Sequence, residues 1–391
     1  QSLTALAFNS TSSFVAGLIL ASALSTFQRY PTLLTLVPAA IGLRGNVMGG
    51  LGNRLSTAIH TGTFSVSIRN GTLMRQNVSA SLALSSVLSF VLAIIASVVA
   101  SAFGIASNLN LGQLAMVSIV GGLSASILVL IATVALTVVG VRRNWDVANL
   151  VAPSVSTLGD VITVPTLFLA SLALGLPAGA ITTVGWVLAA ASVAWFVVAL
   201  RSRLPVLSQV CKESAPILVV AAALSTMAGV VVTKQLSAFA LLPALFILQP
   251  AFVSSAGALG GILSSRLSTK LHLGLIDPDV VPGADVRRDI FTISAIGIPV
   301  FLYNAVGAQV LGRLTGQASP GLLPMVAGTL TAGVAALAVV AVLAYYGTIA
   351  AWRLKVDPDT YGTPTVTASM DFVGVVALVV SFSTFGWIAK V

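Results

Sequence analysis

"PTLLTLVPAAIGLRGNVMGGLGNRLSTAIHTG" (residues 31–62) is largely apolar, with Arg44 and Arg54 as its only charged side chains. Shifted by 212, it falls on "PALFILQPAFVSSAGALGGILSSRLSTKLHLG" (residues 243–274), and 14 of the 32 positions are identical. The shared residues include Pro31/Pro243, Pro38/Pro250, Gly45/Gly257, Gly49/Gly261, His60/His272 and the run from Arg54 to Thr57 against Arg266 to Thr269. Agreement at a fixed offset over this length marks an internal repeat.

A second agreement follows at an offset of 211. Asp146, Pro153 and Asp160 are spaced by seven and seven, and Asp357, Pro364 and Asp371 repeat the spacing. The repeats are expected to occupy residues 1–176 and 206–391, with a connector helix and loop at 177–205.

The composition sets the class. Of 391 residues, 57% are hydrophobic and 7% charged, with a mean hydropathy of +1.05. A soluble protein cannot cover that much apolar surface. The apolar residues fall in runs of about 18 or more, which as helices span a hydrocarbon core of about 30 Å. The alternation of a β-barrel is absent. The chain therefore reads as an all-α, multi-pass membrane protein. Eleven helices are expected, at 4–27, 31–58, 78–104, 112–140, 147–175, 180–199, 213–233, 240–269, 289–312, 321–348 and 360–388. The first run lacks a basic leader and a clear cleavage site and is read as a mature helix.

Charge orients these spans. With the N-terminus cytoplasmic, 14 of the 19 Lys and Arg lie on the cytoplasmic side. Only Arg29, Lys234, Arg313 and Lys390 lie outside, and Arg44 lies within a span. This asymmetry is the positive-inside pattern. It puts the N-terminus in the cytoplasm and the C-terminus outside, in a cell membrane. The formal charge of +9 is then read as topology and lipid contact, with no nucleic-acid partner. Two five-helix units of like orientation need one extra crossing between them, and 180–199 supplies it. The 5+1+5 arrangement implies parallel repeats about a pseudo-two-fold axis along the membrane normal, a homodimer fused into a single functional chain.

Little else offers chemistry. The single Cys211 excludes an intrachain disulfide and a cysteine cluster. His60 and His272 alone make a zinc site unpromising. No nucleotide-binding or nucleophile motif appears, so no enzyme activity and no required cofactor are expected.

Asp160 lies about 14 residues into its helix, about 20 Å along it, near the bilayer midplane. A carboxylate there costs at least about 2.5–3.5 kcal/mol. Two such carboxylates on one axis also repel, so they need a proton, a basic partner or a bound cation. Hydroxyls crowd the same segments: Ser154, Ser156 and Thr157, then Thr363, Thr365 and Thr367. Oxygen ligands with two carboxylates suit a hard divalent cation, Mg²⁺ before Zn²⁺ or Cu²⁺. The glycines of 42–52 fit either tight helix packing or a lining helix that breaks near the midplane. Arg54 and Arg266 fit snorkelling to the interface. Asp146 and Asp357 fit helix caps or an acidic vestibule. Asp277, Asp279, Asp285 and Asp289 fit a solvated loop.

"GLRGNVMGGLGNRLSTAIHTG" resembles the second-helix signature of the MgtE-type magnesium transporters, above all their eukaryotic relatives in solute-carrier family 41, with "GLKGN…LASRLSTAAN.G". "DVANLVAPSVSTLGDVIT" is similar to that family's "DPDN.ATP…SLGDLIT". The resemblance covers nearly the whole chain. It implies five-helix units paired about a two-fold axis, with a pore lined by the second and fifth helices. The family's pore carboxylate falls on Asp160 and Asp371, and its Gly-Asn segment on Gly45 and Asn46. Arg44, Gly49, Gly257, Gly261, Pro153, Ser156, Thr157, Pro364 and Thr367 complete the candidate lining. The second half departs, with Ala256 and Ala258 facing Arg44 and Asn46. Gating by CBS modules is not carried over.

The expected function is passage of a divalent cation, Mg²⁺ first, held between Asp160 and Asp371. A Na⁺- or H⁺-coupled exchanger using the same carboxylates is the alternative. A membrane scaffold or receptor with structural aspartates is the remote one.

Overall fold

The structure, a computed structural model, describes residues 2–60, 69, 71–143, 147–279, 281–354 and 358–387; the side chains of 2, 60, 141, 142, 147–156 and 358–363 lie outside that description. Among the described residues every regular element is helical. In the first half they are α1 (Ser2–Ser22), α2 (Leu24–Arg29), α3 (Pro31–His60), α4 (Leu73–Ala102), α5 (Leu111–Arg142) and α6 (Val147–Leu172). Next comes α7 (Ala178–Leu200). The second half holds α8 (Pro205–Lys234), α9 (Leu236–Leu241), α10 (Ala244–His272), α11 (Ala284–Leu314), α12 (Leu322–Arg353) and α13 (Pro358–Thr384).

Eleven of the described helices are long and apolar enough to cross a membrane, as the sequence predicts. Their exposed faces carry large apolar side chains such as Phe8, Val98, Ile131, Leu169, Val187 and Val334. Lipid accepts such faces, because each helix satisfies its own backbone polar groups.

The repeat recurs in the element bounds. The short helix at 24–29 has its twin at 236–241, an offset of 212, and the helix at 111–142 has its twin at 322–353, an offset of 211. The offset changes because loop 315–321 is one residue shorter than loop 103–110. Both loops leave their helices through a left-handed glycine, Gly104 at φ 68° and Gly316 at φ 69°, as helix C-termini commonly do.

Local chemistry corrects several expected boundaries. The span expected at 4–27 is divided at Ala23, and the one expected at 240–269 is divided just before a proline. Leu242 is forced to φ −129°, ψ 68° before Pro243, because proline crowds the preceding residue out of the helical region. Tyr30 holds the same place before Pro31, where it separates α2 from α3. Helix α4 starts five residues before the expected 78, at Leu73, where the Thr72 hydroxyl accepts from the Arg75 N–H at 3.4 Å. At the start of α5, Asn110 and Gln113 form a reciprocal box of 2.9 and 3.0 Å bonds, satisfying first-turn donors that have no helical partner.

The helices pack as two compact units, Ser25–Thr226 and Gln1–Leu24 with Met227–Val391. In the unit of residues 25–226, α3 packs on α4, α5 and α6, and α7 covers α4 and α5. Gly185 of α7 presses on the Gly112 carbonyl, and the Ser86 hydroxyl donates to Ser192 at 2.6 Å. The connector helix is thus part of this bundle. In the other unit α10 is central, packed on α1, α11, α12 and α13.

Packing is therefore offset from the sequence repeats by one helix. Helix α1, from the first repeat, lies against α10 and α11 of the second. Gly17 permits it: a Cβ there would stand 2.6 Å from the Ile247 Cα. A polar seam fixes the register. Asn9 donates to the Ser254 hydroxyl at 2.9 Å, and the Ser10 and Ser255 hydroxyls are 3.0 Å apart. Small residues and interhelical hydrogen bonds are what hold helices together in lipid, where apolar burial gives little preference. Conversely α8 is counted with the unit of residues 25–226 as far as Thr226, and its Val206 N–H donates to Gln76 Oε1 at 3.2 Å.

Candidate functional site

Asp160 is the fourteenth of the 26 residues of α6, and Asp371 the fourteenth of the 27 of α13. Each stands mid-helix, about 20 Å from either end at 1.5 Å per residue. Asp160 is 6% exposed, and Asp371 is half-buried. The turn that carries Asp160 rests on α3. A Cβ on Gly159 would lie 3.5 Å from the Gly45 nitrogen and 3.6 Å from the Arg44 Cβ. These are ordinary van der Waals distances, so the approach leaves room for a methyl group at position 159 but not for a larger side chain. The "LRGN" and "LGD" segments, 115 residues apart in sequence, are brought together here.

The α10–α13 pair brings together the corresponding regions of the second half. A Cβ on Gly257 would lie 3.8 Å from the Thr367 Cα. The Thr367 hydroxyl turns back to donate to the Pro364 carbonyl at 3.1 Å. Proline cannot donate to the preceding turn, so α13 has a locally loosened backbone seven residues before Asp371.

Helices α3 and α10 run unbroken through their glycine-rich segments. Of the two sequence readings of those glycines, helix packing describes Gly45, beside Gly159 of α6, and no helix break is present. Gly49 differs: a Cβ there would meet nothing within 4 Å. Asn46 and Gly261 are half-buried, and Thr157 is buried. The side chains of Pro153 and Ser156, and all of Asp146 and Asp357, lie outside the described residues.

Arg44 is 1% exposed. Its guanidinium turns to α4 and α5, donating to the Ser89 hydroxyl at 2.5 Å, the Gly122 carbonyl at 3.3 Å and the Ala40 carbonyl at 3.3 Å. All three acceptors are neutral.

The twin arginines at the helix ends differ. Arg54 is tied into the bundle by Asn77 Oδ1 at 2.8 Å and the Ser81 hydroxyl at 3.5 Å, rather than reaching out to head groups. Arg266 stands 4.0 Å from Asp289, which also takes Lys270 at 2.5 Å. Asp289 is thus an ion-pair hub on α11 and not a solvated loop residue. The neighbouring loop is held as well, since the Asp279 carbonyl accepts from Tyr345 at 3.0 Å and the Pro278 carbonyl from Arg353 at 2.6 Å. His272 packs edge-on against Trp352, ring centroids 5.0 Å apart. Among the described residues no three His, Cys, Asp or Glu side chains converge as a metal centre.

Known proteins agree on one family. MgtE, described as a divalent cation transporter, matches residues 37–170 and 249–381, more than half of the chain and one segment per repeat. Solute carrier family 41 member 3 of Mus musculus is 26% identical over 406 residues, covering 94% of this chain and 78% of that protein. Its counterpart in Rattus norvegicus is 25% identical over 399 residues, covering 94% and 83%. Solute carrier family 41 member 2 of Xenopus laevis is 26% identical over 388 residues, covering 91% and 66%. No solved structure matches the chain. Two matched segments at the offset of the internal repeat, on a bundle of eleven apolar helices, lead to one conclusion: this chain is a multi-pass membrane protein that belongs to the MgtE family of divalent cation transporters.

Proposed function

We propose that the protein carries Mg²⁺ across the membrane and that Asp160 and Asp371 hold the ion at the midplane. The observation that carries this reading is the burial of Asp160 halfway along α6, in a chain whose family transports divalent cations. A carboxylate at that depth is retained for what it binds. Its twin at the same helical position supplies the second negative charge that a divalent ion needs.

Mg²⁺ gives up water reluctantly, so the ion keeps part of its hydration and meets the carboxylates largely through water. Neutral oxygens of the same helices, including the hydroxyls of Thr157 and Thr367, complete the lining. Release requires that the site bind weakly enough for the ion to leave. The repeats act as a pseudo-dimer in one chain, with the N-terminus cytoplasmic.

The test is Mg²⁺ uptake by liposomes that contain the purified protein. We expect uptake that follows the Mg²⁺ gradient and is inhibited competitively by Mn²⁺ and Co²⁺. Uptake that requires an opposing Na⁺ or pH gradient assigns the same carboxylates to an exchanger. Absence of flux under every gradient contradicts the proposal and supports a scaffold.

A further inference from the structure

The two halves fill one interior slot in opposite ways. In the unit of residues 25–226, the slot facing Gly122 of α5 holds the Arg44 guanidinium and the Ser89 hydroxyl; a Cβ on Gly122 would stand 2.5 Å from Ser89 Oγ and would collide with Arg44 Nη2. In the other unit, Gly333 occupies the place of Gly122, offset by 211, and faces the Phe301 ring, whose Cγ would lie 2.9 Å from an added Cβ. Phe301 is the 212-offset twin of Ser89, and Ala256 the twin of Arg44. Phe301 also packs on Phe252, ring centroids 4.8 Å apart. Arginine with serine in one half thus answers to alanine with phenylalanine in the other. The fold tolerates either filling, so packing alone does not require a charge there.

Among the described residues the Arg44 guanidinium is hydrogen-bonded to neutral oxygens and to no carboxylate, so no counter-charge there cancels its field inside the bundle. The Arg44 Cβ lies beside the turn that carries Asp160, 3.6 Å from where a Cβ on Gly159 would stand, so the guanidinium, though turned to α4 and α5, acts on Asp160 at helix-to-helix range. We propose that Arg44 is a positioning residue whose fixed charge weakens cation retention at Asp160 and speeds release, while Asp371 has no such charge at the equivalent position of its own bundle. This rests on the reading of Asp160 as an ion ligand. With helices packed about 10 Å apart, and an effective interior dielectric of about 20, one positive charge acting on a divalent ion lowers affinity by on the order of a hundredfold, ~2.7 kcal/mol.

The second half supplies the control. In R44A/S89F the slot is filled as Ala256 and Phe301 fill it, without charge. Arg44→Lys keeps the charge with different hydrogen bonding. The assay is Mg²⁺ uptake into liposomes with KM and kcat determined separately, alongside the melting temperature in detergent and an Asp160→Asn reference. We expect R44A/S89F to melt near the wild type, with KM lowered by on the order of a hundredfold and kcat reduced, and Arg44→Lys to retain a KM within about threefold of the wild type. If R44A/S89F folds with unchanged KM while Asp160→Asn abolishes uptake, the role given to Arg44 is wrong and the ion site stands. If Asp160→Asn also transports at the wild-type rate, both are wrong. If R44A/S89F does not fold, the two slots are not equivalent and the inference fails.

Discussion

Gly159 rests its backbone on Arg44 and Gly45, so closely that a methyl group at position 159 would lie 3.5 Å from the Gly45 nitrogen and 3.6 Å from the Arg44 Cβ. This contact joins the two repeated motifs of the first half and sets the position of the Asp160 turn against α3.

Gly159→Ala meets only ordinary van der Waals distances and gains helix propensity, so we expect stability within about 1 kcal/mol of the wild type. Gly159→Leu would separate α3 from α6, with a loss of about 1–3 kcal/mol. Mg²⁺ uptake should fall for the leucine variant and persist for alanine. Thermal melting in detergent and liposome uptake check the pair.

Gly17 and Gly49 offer a contrast. A Cβ at Gly17 would lie 2.6 Å from both the Ile247 Cα and the Phe246 carbonyl oxygen, whereas one at Gly49 meets nothing within 4 Å. Gly17→Ala must push α1 off α10 and should lower stability by about 1–3 kcal/mol. Gly49→Leu should melt like the wild type. If position 49 lines the ion path, it should also slow uptake, and unchanged uptake by a folded Gly49→Leu protein removes it from the lining.

Arg54 and Arg266 are identical in the repeat and unequal in the structure. Arg54→Ala strands the Asn77 carbonyl oxygen now bonded at 2.8 Å, so a loss of about 1–3 kcal/mol is expected. Arg266 is 40% exposed and 4.0 Å from its carboxylate, so Arg266→Ala should lose about 0–1 kcal/mol. Equal melting shifts for the two variants would contradict this assignment.

How far the sequence carries depends on the kind of signal. Hydropathy and charge asymmetry located the long helices, because lipid imposes length and composition directly on the chain. The repeat was legible because "RLST" and the spacing of Pro153 and Asp160 recur unchanged. The exchange of α1 was not, since a repeat shows that two first helices exist and not which bundle each joins. Its signal was the polar run Asn9–Ser10–Thr11, whose twins are Ala221, Ala222 and Ala223, whereas Gly17 recurs as Gly229. The Arg54 partners are neutral side chains 23 and 27 residues away, so no charge pattern announced them. The Arg44–Ser89 slot needed two aligned differences read together, Ala256 for Arg44 and Phe301 for Ser89. One alone looks like drift.

The most direct test of the central claim is the initial rate of Mg²⁺ uptake into liposomes by wild type, Asp160→Asn, Asp371→Asn and the double variant, each shown to be folded by its melting profile. Asparagine keeps the shape and removes the charge. The account predicts that each single variant loses at least about tenfold in rate, equivalent to ~1.4 kcal/mol, and that the double variant falls to the rate of empty liposomes. Folded Asp160→Asn and Asp371→Asn proteins that transport at the wild-type rate would contradict it.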